Sequence, residues 1–257
     1  MENPAAVLAS PAMTMLLVVP LVFTLAGLVK GVTGLGLPTV AVGLLSIVMT
    51  PMEAASLLIV PSLLTNVWQA LAGFGLKSLM SRLWPLLLGI VAGVLAGGVM
   101  LPADDSGFAA AALGVALMLY AAIGLVSVRM PVPRRLEPWL SPVVGIATGL
   151  VTAATGVFVI PVVPYLQGLN LGKEDLVQAL GLAFTISTVA LAANLALAGA
   201  FALDIADTFL HALVPALAGM LIGQWIRSRI RPEVFRKCFF TGLLLLGAHL
   251  VLRAVAG

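Results

Sequence analysis

The chain has 257 residues, of which 61% are hydrophobic and only 9% charged, and its mean hydropathy is +1.18. A soluble globule carries charge on about a quarter of its positions, so this composition excludes one and indicates an integral membrane protein. A net charge of +3 is too small to mark a nucleic-acid binder, and a single cysteine, Cys238, excludes an internal disulfide.

The opening "MENPAAVLASP" contains no Lys or Arg. It lacks the basic start of a cleavable signal peptide, so the first span is expected to be retained. Apolar stretches of roughly twenty residues then recur along the whole length, the pattern of spanning helices and not the ten-residue alternation of an outer-membrane barrel. The first run, 12 to 49, is interrupted by "LAGLVKGVTGLGLP", which holds Lys30 and four glycines. Three ordinary spans are expected next, at 53–73, 83–101 and 107–128. A second interrupted run covers 139–169, followed by spans at 175–201, 207–226 and 234–256.

The two halves echo one another. "GLVKGVTGLGLP" from Gly27 is answered by "GLVTAATGVFVIP" from Gly149, "QALAGF" from Gln69 by "LALAGAF" from Leu195, and "PLLLGIVAG" from Pro85 by "PALAGMLIG" from Pro215. Shared order, spacing and punctuation read as a tandem duplication: a first repeat 1–128, a linker 129–138 and a second repeat 139–257. The second interrupted run has only about thirty residues, which at about 1.5 Å per residue cannot cross a core of about 30 Å twice and turn. A hairpin of two short helices is expected there.

Loop charge sets the orientation. The loops with Lys77 and Arg82, with Arg129, Arg134 and Arg135, and with Arg227, Arg229, Arg231, Arg236 and Lys237 are basic, whereas those with Asp104 and Asp105 or Asp204 and Asp207 are acidic. By the positive-inside rule the basic loops are cytoplasmic, which places both termini on the outer side of an inner membrane. The chain can be threaded between these loops only if each hairpin returns to its starting side, so each half makes an odd number of crossings and the halves are inverted. The fold class expected is therefore an all-α polytopic membrane protein of two inverted repeats, each a glycine-interrupted hairpin plus three transmembrane helices, an arrangement common in secondary transporters.

The sequence offers no nucleophile set against a base, no cluster with metal-ligand spacing and no Asp or Glu at a helix centre, so neither an enzyme, a cofactor nor a carboxylate proton relay is expected. His211 and His249 lie in separate helices and read as interface residues. What remains is the pair of interrupted hairpins, each with a Thr-Gly core. A broken helix exposes backbone N–H groups that can hold an anion, and glycine lets the ligand reach them. That nominates Thr33, Gly34 and Gly36 in the first hairpin and Thr155 and Gly156 in the second, against the plainer reading that these glycines only pack helices or make a turn. Lys30 has two readings: positive-inside bias, or attraction of an anion. Ser62, Thr65, Asn66 and Gln69 share one helix face, and Thr185, Thr188 and Asn194 occupy the corresponding span. Substrate contact and interhelical hydrogen bonding both explain them. Gly89, Gly93, Gly97, Gly219 and Gly223 allow close helix approach, within the chain or in a homodimer.

The residues resemble the sulfite exporter TauE/SafE family of bacterial membrane permeases over nearly the whole chain, through "GLVKGVTGLGLPTV", "GLVTAATGVFVIPVVPYLQGL", "EAASLLIVPSLLTNVWQALAG" and "DLVQALGLAFTISTVALAANLALAGAF". The resemblance implies movement of a small anion, such as sulfite, a sulfonate or another organic acid, across the inner membrane. Export suits the physics: one negative charge leaving an inside-negative cell gains about 2.3 kcal/mol per 100 mV without a coupling ion. A proton carried on the substrate or a histidine stays open. The competing expectations are import of such an anion, and a membrane enzyme or assembly subunit without transport.

Overall fold

The computed structural model describes residues 14–101, 106–126, 131–199, 209–227, 229 and 232–256, and every regular element among them is helical. A π-helical turn, Thr14–Val18, leads into α1, Val19–Thr33; then come α2, Leu37–Leu45, α3, Pro51–Leu71, α4, Leu76–Met100, and α5, Ser106–Val126. The second half has α6, Glu137–Thr155, α7, Val162–Gly168, α8, Lys173–Leu197, a π-helical turn Phe209–Leu213 with α9, Val214–Arg227, and α10, Pro232–Ala256. Among the described residues seven helices are long and apolar enough to cross a membrane. The chain is a multi-pass membrane protein, as its composition requires.

Local chemistry sets the breaks. α1 and α6 both stop at a glycine in the left-handed region, Gly34 with φ 77° and Gly156 with φ 71°, and each glycine N–H closes on the carbonyl four residues back, Lys30 or Thr152. An L side chain adopts that backbone only at a cost, so the sequence needs glycine there. α3 starts on a capping box: Thr50 Oγ1 accepts the Glu53 N–H at 3.3 Å and Glu53 accepts the Thr50 N–H at 2.8 Å.

The hairpin arms differ from expectation. α6 has 19 residues, enough to span, whereas α7 has seven and α2 nine. Each break therefore joins a longer helix to a short one, and the short ones, α2 and α7, are largely buried in protein. α4 also begins earlier than the expected residue 83, at Leu76. Its first turns carry Lys77 and Arg82, and Arg82 pairs with Glu137 at 2.6 Å. The loops holding Asp104, Asp105, Asp204 and Asp207, and Arg129, Arg231 and the first thirteen residues, lie outside the described residues.

Close glycine contacts bind the helices into crosswise pairs. α1 lies along α9, where Cβ atoms built at Gly27 and Gly219 would fall 2.1 Å from Ala216 O and 2.0 Å from Thr24 O. α6 lies along α4 in the same manner, with Gly149 on Ile90 O at 2.3 Å and Gly93 on Ile146 O at 2.2 Å. The small residues are thus used inside the chain, backbone on backbone. α3 packs on α8 and α5 on α10; in the latter pair Gly114 and Gly247 each meet the other's carbonyl, both at 2.7 Å from the Cβ position.

Candidate functional site

The long arm of the first hairpin carries the site's charge. Lys30 sits in the last turn of α1 and is 5% exposed, the one buried Lys or Arg among the described residues. Its Nζ donates to Thr65 Oγ1 at 3.0 Å and to Asn66 Oδ1 on α3. Asn66 Nδ2 donates in turn to Ser62 Oγ at 2.9 Å, and Ser62 Oγ lies 3.2 Å from Thr188 Oγ1 of α8. One polar chain therefore runs from the first hairpin through α3 into the second half of the molecule. Pro61 lies at its head, inside α3. A proline there gives no N–H to the helix ladder, and the carbonyl of Pro61 takes the Thr65 hydroxyl at 2.8 Å.

Burial of a cation costs several kcal/mol unless partners replace its water. Thr65 and Asn66 supply neutral acceptors, and among the described residues no Asp or Glu lies within ion-pair distance of Lys30. An ammonium has three N–H donors. Two go to protein.

Of the other expected residues, Gln69 is buried, and its amide donates to Val177 O at 3.0 Å. Thr33 is exposed; its hydroxyl lies 2.9 Å from Val29 O and 2.8 Å from Leu35 O and accepts the Leu35 N–H at 3.1 Å. Thr155 repeats that arrangement with Val151 O at 2.7 Å, Val157 O at 3.4 Å and the Val157 N–H at 3.1 Å, but it is 2% exposed. Gly34 faces open space, whereas Gly36 is covered by Val29 and by Phe239 of α10. Gly156 packs on Ala55, near the start of α3. Lys30, one turn before the first tip, and Gly156 of the second tip therefore reach α3 eleven residues apart, at Asn66 and Ala55, or about 16 Å of helix. Thr185 is half-buried and bonded to Gly181 O at 2.7 Å, and Asn194 lies against Gly98 of α4. The structure gathers Lys30, Asn66 and Thr188 with Ser62 and Thr65, and does not bring the two tip threonines and glycines into that chain.

A second cross-connection has no counterpart in the sequence reading. Gln178, in the second turn of α8, donates to Ala70 O at 2.7 Å and Gly73 O at 2.9 Å and accepts the Gly75 N–H at 3.0 Å. It satisfies the otherwise open end of α3. A glutamine next to an apolar run was the one visible hint, and it does not say which helix end it serves.

The sequence matches the family model described as Sulfite exporter TauE/SafE over residues 19–250, nearly the whole chain. The chain belongs to the TauE/SafE family. Membership makes it a membrane transporter of the class the model describes as sulfite exporters, and the interrupted hairpins and small-residue spans fall inside the match. No curated protein and no solved structure gives a significant match.

Proposed function

We propose that the protein is a secondary transporter that exports a small anion, such as sulfite, a sulfonate or another organic acid, across the inner membrane, and that Lys30 with Thr65, Asn66, Ser62 and Thr188 holds it. The single observation behind this reading is the buried Lys30, held by neutral acceptors and linked to the second half through Ser62 and Thr188. The helix pairs support an inverted repeat: exchanging the halves carries α1 on α9 into α6 on α4, and returns α3 on α8 and α5 on α10 to themselves. Such pairing lets one half rock against the other around a fixed site. On this reading the first tip faces the cytoplasm, the second the outside, and both termini lie outside.

The test is transport by purified protein in liposomes across a panel of sulfite, sulfonates and carboxylates. Wild-type protein is expected to move at least one of them, and Lys30→Gln to weaken its half-saturation concentration at least tenfold with orientation preserved. Unchanged affinity in the variant, or no movement of any anion by the wild type, overturns the reading.

A further inference from the structure

We infer, on the reading that Lys30 holds the transported anion, that the site takes one net negative charge at a time and that the loaded site, not the empty one, changes sides readily, so the protein works chiefly as an anion exchanger.

The inference comes from the charge inventory around Lys30. The chain has ten acidic residues. Glu53, Glu137, Glu174, Asp175 and Glu233 all lie in the first turn of their helices. The other five, Glu2, Asp104, Asp105, Asp204 and Asp207, fall outside the described residues. Among the described residues no helix interior contributes a carboxylate. The elements packed around Lys30 agree with this. α2 has no titratable side chain. On α3 the acid is Glu53, exposed and engaged by Thr50, twelve residues or about 18 Å before Thr65. On α8 the acids Glu174 and Asp175 lie in the first turn, thirteen or more residues before Thr188, or about 20 Å. α9 offers Arg227 in its last turn and the π turn before it offers His211; α10, which reaches Gly36 through Phe239, carries Arg236 and Lys237 in its first turns. Among the described residues no carboxylate lies within ion-pair distance of the ammonium.

A singly charged ligand balances it. With a monoanion bound, the site has no net charge and crosses the occluded state without an unpaired ion. Empty and still protonated, it carries an ammonium with only neutral partners through that state, and a dianion such as sulfate carries a surplus negative charge; either costs several kcal/mol. Each 1.4 kcal/mol is a factor of ten. The membrane potential then acts on the return of the empty, positive site, which an inside-negative potential draws inward.

The test uses proteoliposomes with radiolabelled methanesulfonate, a fixed monoanion, and a potential clamped by potassium and valinomycin. At zero potential, exchange against internal methanesulfonate is expected to run at least tenfold faster than net flux. Exchange should ignore the potential, net outward flux should rise with it, and sulfate should not substitute. Lys30→Arg should keep the ratio of the two modes, and Lys30→Met should bring it close to one in whatever flux survives. If Lys30→Met is silent, the wild-type ratio and its voltage dependence still decide. Equal exchange and net rates, or net flux with one proton per anion on an internal pH dye, overturn the inference while the transport reading stands. No flux of methanesulfonate, sulfite or any carboxylate in either mode is the separate failure of that reading.

Discussion

At Gly34 an added Cβ would meet nothing within 4 Å, whereas at Gly156 it would fall 2.6 Å from the Ala55 Cβ. Yet the two tips share one local code: a threonine whose hydroxyl is tied to the carbonyl four residues back and to the residue two ahead, then a left-handed glycine. The sequence dictates the turn, and the tertiary setting decides what the turn can reach. The first tip stands open with Thr33 exposed; the second is shut against the start of α3 with Thr155 buried. Charge divides the hairpins in the same direction. Lys30 occupies the last turn of the first long arm, and the corresponding turn of α6 holds Thr152, whose hydroxyl bonds only its own helix, to Thr148 O at 2.7 Å.

The largest break in that comparison should come from the partners of the charge. Asn66→Leu removes an acceptor from a buried ammonium, and a hydrogen bond to a charged group contributes about 1.5–3 kcal/mol. Thermal unfolding in detergent is expected to show a loss of about 2–3 kcal/mol, and adding Lys30→Met should recover most of it, because the charge needing the acceptor is gone. Thr152→Val, at the neutral counterpart, should cost less than about 1 kcal/mol, since no second helix depends on its hydroxyl. Equal losses at the two positions, or no recovery in the double variant, would show that Lys30 does not rely on Asn66.

A smaller effect separates the tips by access. In a Cys238→Ser background, which removes the exposed native thiol, Thr33→Cys should react with a soluble maleimide at least tenfold faster than Thr155→Cys. A saturating anion that shifts the protein toward its opposite state should narrow the ratio. Comparable rates without ligand would mean that the second tip is not closed by α3 in solution.

Much of this organisation was legible in the sequence. Glycines at 34 and 156 mark the breaks because the left-handed turn disfavours other residues, and helical periodicity puts Asn66 on one face with Ser62, whose hydroxyl it meets. The partners were not legible. Lys30 meets residues 35 and 36 positions away, and Gly36, read as an open backbone site, is covered by Phe239 from the last helix. Periodicity carries no information about which helices become neighbours. The unequal hairpin arms escaped for another reason: counting residues against bilayer thickness assumes that both arms face lipid, and α7 and α2 are instead enclosed by protein, with Leu166 and Leu37 fully buried. Gln178 escaped because a polar residue in a helix's second turn has many uses.

The smallest test asks how much of each tip is turn and how much is setting. Gly34→Ala and Gly156→Ala impose the same left-handed strain, about 1 kcal/mol for an L residue. At Gly34 that strain should be the whole cost. At Gly156 the new methyl must also displace Ala55, whose Cβ it would approach to 2.6 Å, so unfolding should show about 1 kcal/mol more, in the lower range for overpacking. Ala55→Gly removes the opposing methyl, and in a double-mutant cycle it should couple favourably to Gly156→Ala and not at all to Gly34→Ala. If both substitutions cost the same and neither couples to residue 55, the second tip is held by its own turn alone, and its closure against α3 contributes nothing to the difference between the hairpins.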